Sequence, residues 1–309
     1  MADLSLIDER FTDPVAASEF LESIRWPDGV ICPHCGESEK EPYRLKGKSL
    51  GKRRVWKCRA CRKQFTVMVG TIFESSHVPL NKWLAAFYLL CASKKGMSAH
   101  QLHRMLGVTY KTAWFMFHRI REAMKEPAFA SKLSGTIEAD ETYIGGKKKN
   151  AKRGRGTPDK KAVMALVERD GRARSFHVAN VTADTLGGVI RQHVDPSARL
   201  MTDEWLSYRK VGKEMADHQT VAHSMGEYVR GDAFTNSVEG YFSILKRGVD
   251  GIYHHVSRAH LHRYLSEFDF RYNHREVNDS RRTVSALEGA EGKRLTYRRT
   301  IERGNREGL

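Results

Sequence analysis

No apolar run longer than ten residues occurs in this sequence, the longest being Trp83 to Ala92, whereas a membrane-spanning helix needs about 20. That absence excludes a helical membrane protein. The opening residues, Met1 to Arg10, carry Asp3, Asp8 and Glu9 where a secretory leader is basic and then apolar. Export is not expected, so the cysteines are read for a reducing compartment. Cysteine itself is scarce, at five in 309 residues, and four of the five fall in two close pairs. This usage excludes a disulfide framework and suits metal ligands. There is no repeat at a solenoid period, and no low-complexity tract longer than the basic run Lys147 to Arg155. Acidic residues are the minority, 37 Asp and Glu against 53 Lys and Arg, which leaves a net charge of +16 and a pI near 9.7. A surplus of that size favours a polyanionic partner through counterion release, with nucleic acid ahead of an anionic membrane surface.

A chain of this length suits two or three folding units. Residues 1–75 are short, turn-rich and cysteine-bearing; 76–130 hold a stretch, Pro79 to Lys125, with helical periodicity; and 131–276 alternate β-type runs with helical segments. Residues 277–309 form a polar tail with thin apolar support from Leu287, Leu295 and Ile301, either a short helix or a frayed end.

Cys32, Cys35, Cys58 and Cys61 make the pattern C-x2-C-x22-C-x2-C. Each C-x2-C turn presents two thiolates to one side, and two turns close a tetrahedron around Zn²⁺ with no position left for substrate. The metal is therefore expected to be structural. His34 sits inside the first turn as a surplus ligand type, and Cys91, within an apolar helical stretch, reads as a core residue.

Ser98 to Leu106, broken by Gly107 and resumed at Thr109, reads as helix, glycine turn, helix, the motif that lays its second helix in the major groove. Tyr110, Lys111, His118 and Arg119 are its candidate DNA contacts. An ordinary helical hairpin has the same pattern; the charge of the chain favours DNA.

Thr136 to Ile144 reads as a strand with Asp140 near its middle, and Arg199 to Asp203 as a later strand ending in an acid. Asn236 to Lys246 is helical by its apolar spacing, with Glu239 and Lys246 seven residues apart and so on one face. Two strand-borne aspartates and a helix-borne glutamate suit an oxygen-liganded pair of Mg²⁺ or Mn²⁺ ions about 3.5–4 Å apart around a phosphodiester. Lys246, with Arg247 beside it, is placed to hold the DNA backbone. Two alternatives stay open: Asn236 and Glu239 also fit a capping box, and Glu138, on the same strand face as Asp140, is a substitute ligand. Glu141 and Glu204 read as solvated neighbours, His177 and His223 as structural.

Five phrases carry a resemblance: Trp26-Pro-Asp-Gly-Val-Ile-Cys-Pro-His-Cys35, Glu138-Ala-Asp-Glu-Thr-Tyr-Ile-Gly-Gly146, Met201-Thr-Asp-Glu204, Thr235-Asn-Ser-Val-Glu-Gly-Tyr-Phe-Ser-Ile-Leu-Lys-Arg-Gly248 and Glu267-Phe-Asp-Phe-Arg-Tyr-Asn-His-Arg275. In that order they resemble the ISXO-like group of insertion-sequence transposases. The resemblance implies a multidomain α/β protein, with a zinc ribbon, a helix-turn-helix unit and a catalytic domain built on a mixed sheet of the ribonuclease H-like fold. It implies an enzyme that nicks at the ends of its own mobile element and joins the freed 3′ ends to target DNA. Asp140, Asp203 and Glu239 inherit the metal-ligand role, with Asn236 the alternative at the third position. Double-stranded DNA is the implied partner, a homo-oligomer on DNA the implied assembly, and the cytoplasm, at a bacterial nucleoid, the implied location. Residues 267–275 are implied to close the catalytic domain, with Arg271, Tyr272 and Arg275 packing there or touching DNA. Lys147, Lys148, Lys149, Lys152 and Arg153, just after the first catalytic strand, are expected to contact phosphate as a loop that orders on DNA. Two competing functions are a non-catalytic DNA-binding regulator and a nuclease that cuts without joining; nucleoid packaging is weaker, because it has no use for a zinc ribbon or an acid cluster.

Overall fold

A computed structural model describes residues 4–5, 7–47, 53–127, 130–145, 160–221 and 234–297. Its contacts gather into two compact units, one reaching Lys125 and taking in the segment from Glu276, the other running from Glu126 to Arg275.

The first unit begins with α1 (Glu9–Thr12) and α2 (Pro14–Arg25). Asp13 starts α2 by accepting from the Ala16 amide at 2.8 Å, and Pro14 supplies a first-turn φ with no N–H to satisfy. Three two-residue strands follow, β1 (Tyr43–Arg44), β2 (Trp56–Lys57) and β3 (Gln64–Phe65), paired antiparallel in that order. Arg54 ties this ribbon to α2, donating through Nε to Glu22 at 3.0 Å with both side chains buried, while Trp56 Nε1 reaches the same carboxylate at 3.2 Å. Removing one partner of such a buried pair costs about 3–5 kcal/mol.

Next come α3 (Leu80–Ala92), α4 (Ala99–Leu106) and α5 (Tyr110–Ala123). Trp83, Leu84, Phe87, Leu90 and Cys91 bury α3 as the centre of the unit. Ser98 caps α4 and Thr109 caps α5, each accepting at 3.2 Å from the amide three residues on. Gly107 ends α4 at φ +59, a left-handed conformation that favours glycine.

In the second unit, β4 (Thr136–Ile144), β5 (Lys161–Glu168) and β6 (Ala173–Val178) form an antiparallel meander. The chain then crosses through α6 (Ala183–His193) to β7 (Arg199–Asp203) and through α7 (Arg209–Gly212) to β8 (Asp217–Val221), both strands running parallel to β4. The order β6-β5-β4-β7-β8 is the mixed sheet of a ribonuclease H-like domain. Because β5 is covered on both faces, Ala162 to Val167 are all buried, a continuous apolar run instead of an alternating one. Strand alternation still sorts them: Ala162, Met164 and Leu166 meet Leu186 and Ile190 of α6 in one core. Val163, Ala165 and Val167 meet α8 (Asn236–Gly248) and α9 (Leu261–Asn273) in the other.

Residues 267–275 lie on and just beyond α9. Phe268 and Phe270 are buried and Tyr272 packs on the core; Arg271 is buried too, ion-paired with Glu267. Of the two roles open to Arg271, burial leaves packing. Arg275 is exposed and donates to the Gly171 and Tyr272 carbonyls.

The tail returns to the first unit as α10 (Asp279–Glu288), capped by Asn278, which accepts from the Arg281 amide at 2.8 Å. Val284, Leu287 and Leu295 are buried, so the thin apolar support suffices for a helix. Gly289 permits the close approach that follows, since a Cβ there would lie 2.4 Å from the Ala123 carbonyl oxygen. Ile301 lies outside the described residues.

Candidate active site

The four cysteine sulfurs form one cluster, with donor atoms all within 4.8 Å of one another. Cys32 and Cys61 sulfurs are 3.7 Å apart, as are those of Cys35 and Cys58. A tetrahedron with Zn–S bonds of about 2.3 Å has edges of about 3.8 Å, so the spacing fits a single zinc ion. Both turns close alike, on left-handed residues Gly36 (φ 74) and Arg62 (φ 59). Burial works against the Cys58 thiolate, yet the Cys61 and Ala60 amides and the neighbouring sulfurs pull its pKa down to about 7. His34 is no ligand: it is exposed and turned to the Gln64 carbonyl at 3.3 Å.

The second helix of the helix-turn-helix presents its first turn. Tyr110 is exposed and stacked on His100 at 4.2 Å, and Lys111 is exposed with its ammonium 4.6 Å from the Tyr297 ring. Its second half is covered, which corrects two expected DNA contacts. His118 is fully buried against Trp114, and Arg119 is buried with Nε donating to the Leu295 carbonyl and Nη2 to that of Glu74, each at 3.1 Å. The tail that supplies Leu295 covers this face, so Arg119 is a packing residue.

The carboxylates are positioned by strand register. β4 and β7 pair in parallel from Thr136↔Arg199 to Glu138↔Met201. Continued two residues, that register sets Asp140 level with Asp203, on the same sheet face and on strands about 4.8 Å apart. That face is the one covered by α8, as Val163 and Ala165 show, and α8 carries Glu239. Burial, chiefly, lifts the Asp140 carboxyl to about 7; the Glu141 N–H opposes this, while the charges of Glu141, Asp203 and Glu239 add to it. Acids that raise one another's proton affinity are relieved by a cation among them, so the donor set fits oxygen-seeking divalent ions. Among the described residues, only the cysteines bring three or more donor atoms within 4.8 Å of one another. The carboxylates are spread more widely.

Each acid has its own tether. Asp140 Oδ1 accepts from the Glu141 amide at 2.8 Å and Asp203 Oδ1 from the Trp205 amide at 3.0 Å. Glu239 Oε1 accepts from Thr235 Oγ1 at 3.3 Å. Glu141 is not a solvated neighbour. It points to the opposite sheet face, where Tyr208 Oη donates to it at 2.5 Å; burial raises its pKa, and Asp203 adds to the rise. Lys246 and Arg247 are both exposed; Lys246 stands about 10.5 Å along α8 from Glu239 on the same side.

The capping-box alternative is not what the helix shows. Thr235, not Asn236, is the residue before the helix, and it makes no side-chain cap bond. Instead Glu138 Oε2 accepts from the Ser237 and Val238 amides at 2.7 and 3.1 Å, and Glu138 Oε1 accepts from Arg169 Nε at 2.8 Å. Both its oxygens thus accept hydrogen bonds from protein donors. Arg169 was not among the residues expected from sequence; the available signal was a second acid, Glu138, inside a strand with no local counter-charge. Lys147, Lys148, Lys149, Lys152 and Arg153 lie outside the described residues, as does His223.

A family model for the ISXO2-like transposase domain matches residues 132–273, and one for the transposase zinc-ribbon domain matches residues 13–64. The chain is 30% identical over 280 residues to an uncharacterized protein in transposable element ISH50 of Halobacterium salinarum, over 84% of this chain and 91% of that protein. An uncharacterized transposase-like protein of Haemophilus influenzae is 26% identical over 100 residues, which are 32% of this chain and 80% of that one. A chain in a solved simian T-cell lymphotropic virus intasome is similar at a TM-score of 0.32 and 17% identity, over 59% of this chain and 70% of that one.

Proposed function

The chain belongs to the ISXO2-like transposases, and from that premise we propose that it nicks DNA at the ends of its own mobile element and joins the freed 3′-hydroxyls to target DNA. Asp140, Asp203 and Glu239 are the proposed ligands of two Mg²⁺ or Mn²⁺ ions. The observation that carries this reading is the parallel register of β4 and β7, which runs to Glu138↔Met201 two residues short of Asp140 and Asp203, together with an Asp140 carboxyl raised to about 7 by burial and by the charges of Glu141, Asp203 and Glu239. Bound there, two divalent ions supply the Lewis acidity that activates an attacking hydroxyl and stabilises a departing 3′-oxygen.

The chain's own residues hold and orient the DNA. Tyr110 and Lys111, exposed at the start of α5, suit contact with DNA in the major groove. Lys246 and Arg247 offer cations on the helix that carries Glu239, and the basic residues at 147–149, 152 and 153 follow the strand that carries Asp140. The closed set of four sulfurs has no open position, so its zinc holds the ribbon in shape and takes no part in the chemistry. Joining two element ends requires both at once, which supports a homo-oligomer on double-stranded DNA. A DNA-handling activity of this kind belongs in the cytoplasm, at the nucleoid.

The test is to incubate purified protein and Mg²⁺ with DNA spanning its gene and both genomic flanks, mapping new 3′ ends and joined products beside an Asp203→Asn control. Discrete end nicks and target joins, reduced at least about 10³-fold in the control, support the reading; that loss corresponds to about 4 kcal/mol of barrier. Breaks without joins indicate a nuclease, and binding without cleavage a regulator.

A further inference from the structure

Glu138 stands two residues before Asp140 on the same face of β4 and is fully buried. A carboxylate in that position is tolerated only when paired and hydrogen-bonded. Its partners are unusual in where they lie. One oxygen takes the two amides that open α8, 99 and 100 residues away, and the other takes the Arg169 guanidinium. Arg169 also reaches the chain just before α8, donating through Nη2 to the Phe234 carbonyl at 2.9 Å with its guanidinium 3.6 Å from the Phe234 ring centre. The helix has no cap of its own, and an anion at a helix N-terminus satisfies both its free amides and its dipole.

The next residue after Val238 is Glu239. α8 is seated in the core by Val238, Tyr241, Phe242 and Leu245, whereas the Glu239 side chain is exposed. Apolar contacts are non-directional and tolerate small slides and rotations; two amide bonds to one carboxylate do not.

We propose that Glu138 and Arg169 are positioning residues: they clamp the first turn of α8 to the strand that carries Asp140, and so fix Glu239 relative to the aspartates for metal binding. This deepens the proposed function and rests on its choice of Glu239 as a ligand. It assigns Glu138 a positioning role through the bonds its oxygens accept from the α8 amides and from Arg169.

The test uses the full chain and two readouts that need no DNA: amide hydrogen exchange along α8, and Mn²⁺ binding followed by electron paramagnetic resonance. Glu138→Gln keeps the shape and one acceptor but loses the charge facing Arg169. The expected result is exchange on the order of tenfold faster at Ser237 and Val238, unchanged exchange in α9, and Mn²⁺ affinity lowered by roughly tenfold. DNA cleavage falls at low Mn²⁺ and recovers as Mn²⁺ is raised. Asp140→Asn should do the converse, weakening Mn²⁺ binding without quickening exchange in α8. Should Glu138→Gln fail to fold, Arg169→Lys is read in the same way.

Two results overturn the inference. One is a variant that loses Mn²⁺ as Asp140→Asn does with α8 exchange unchanged, which makes Glu138 a ligand. The other is faster exchange with unaltered Mn²⁺ affinity, which makes the clamp structural only. A wild-type protein that binds Mn²⁺ yet neither cuts nor joins DNA sinks the transposase reading instead, and leaves both measurements able to decide this one.

Discussion

Asp269 on α9 offers a pH dependence whose sign and size follow from its surroundings. Its carboxyl is buried between α9, α8 and β6, accepting from Tyr241 Oη at 2.6 Å, Ser175 Oγ at 2.8 Å and the Ser175 amide at 3.1 Å. Burial outweighs these three donors and lifts its pKa from 3.8 to about 7. The folded state therefore keeps a proton that the unfolded chain releases near pH 4. The stabilising contribution is fully present below that pH and is lost as pH rises toward 7, at up to about 1.4 kcal/mol per pH unit. Over roughly three units the loss approaches about 4 kcal/mol. Urea unfolding between pH 4 and 8 measures it, and comparison with Asp269→Asn isolates it from other acids, because the amide cannot titrate. The wild-type curve should fall relative to the variant across that window and run parallel above about pH 7.5. Curves parallel from pH 4 upward would show instead that the three donors hold Asp269 ionised in the fold.

Four further outcomes follow from other parts of the molecule. Removing zinc with a chelator should unfold the ribbon and quicken hydrogen exchange from Cys32 to Phe65 while exchange in β4 and β5 is unchanged, since the three strands have two residues each and structural zinc contributes about 10–16 kcal/mol to folding in small ribbons. Arg119→Ala should lower the melting temperature by several degrees through two lost buried hydrogen bonds, without altering the salt dependence of DNA binding. Lys111→Ala should do the reverse, reducing the slope of log affinity against log salt by about 1 with little change in melting. Gly289→Ala should destabilise by about 1–3 kcal/mol in denaturant melts, because its Cβ would press on the Ala123 carbonyl.

The parts legible in the sequence are those whose determinants lie close together along the chain. Two C-x2-C turns specify a tetrahedral site from within each turn, and Ser98, Gly107 and Thr109 mark the ends of two helices. Strand-borne Asp140 and Asp203 were legible as candidates, but the parallel pairing of the strands that carry them was not, because register between parallel strands is set by the whole sheet and the crossover that joins them. Arg119 was misread for a related reason: helical periodicity says which side of α5 it lies on, while the cover on that side comes from Leu295, 176 residues away. The cap of α8 is the same lesson at the site itself. Asn236 and Glu239 had the local spacing of a capping box, and a buried carboxylate on another strand took the role instead. Polar composition likewise understated the tail, where Val284, Leu287 and Leu295 suffice to seat a helix against α3.

Asp140, Asp203 and Glu239 are proposed to hold divalent metal together. Replacing Mg²⁺ with Fe²⁺ and adding ascorbate and peroxide generates hydroxyl radicals at the bound ion, which cut the polypeptide nearby; the cut positions can be read by mass spectrometry. Cuts should cluster at the ends of β4 and β7 and in the first turn of α8, be suppressed by excess Mg²⁺ and be lost in Asp203→Asn. Cuts confined to other segments, or a pattern that Asp203→Asn leaves unchanged, would contradict that proposal.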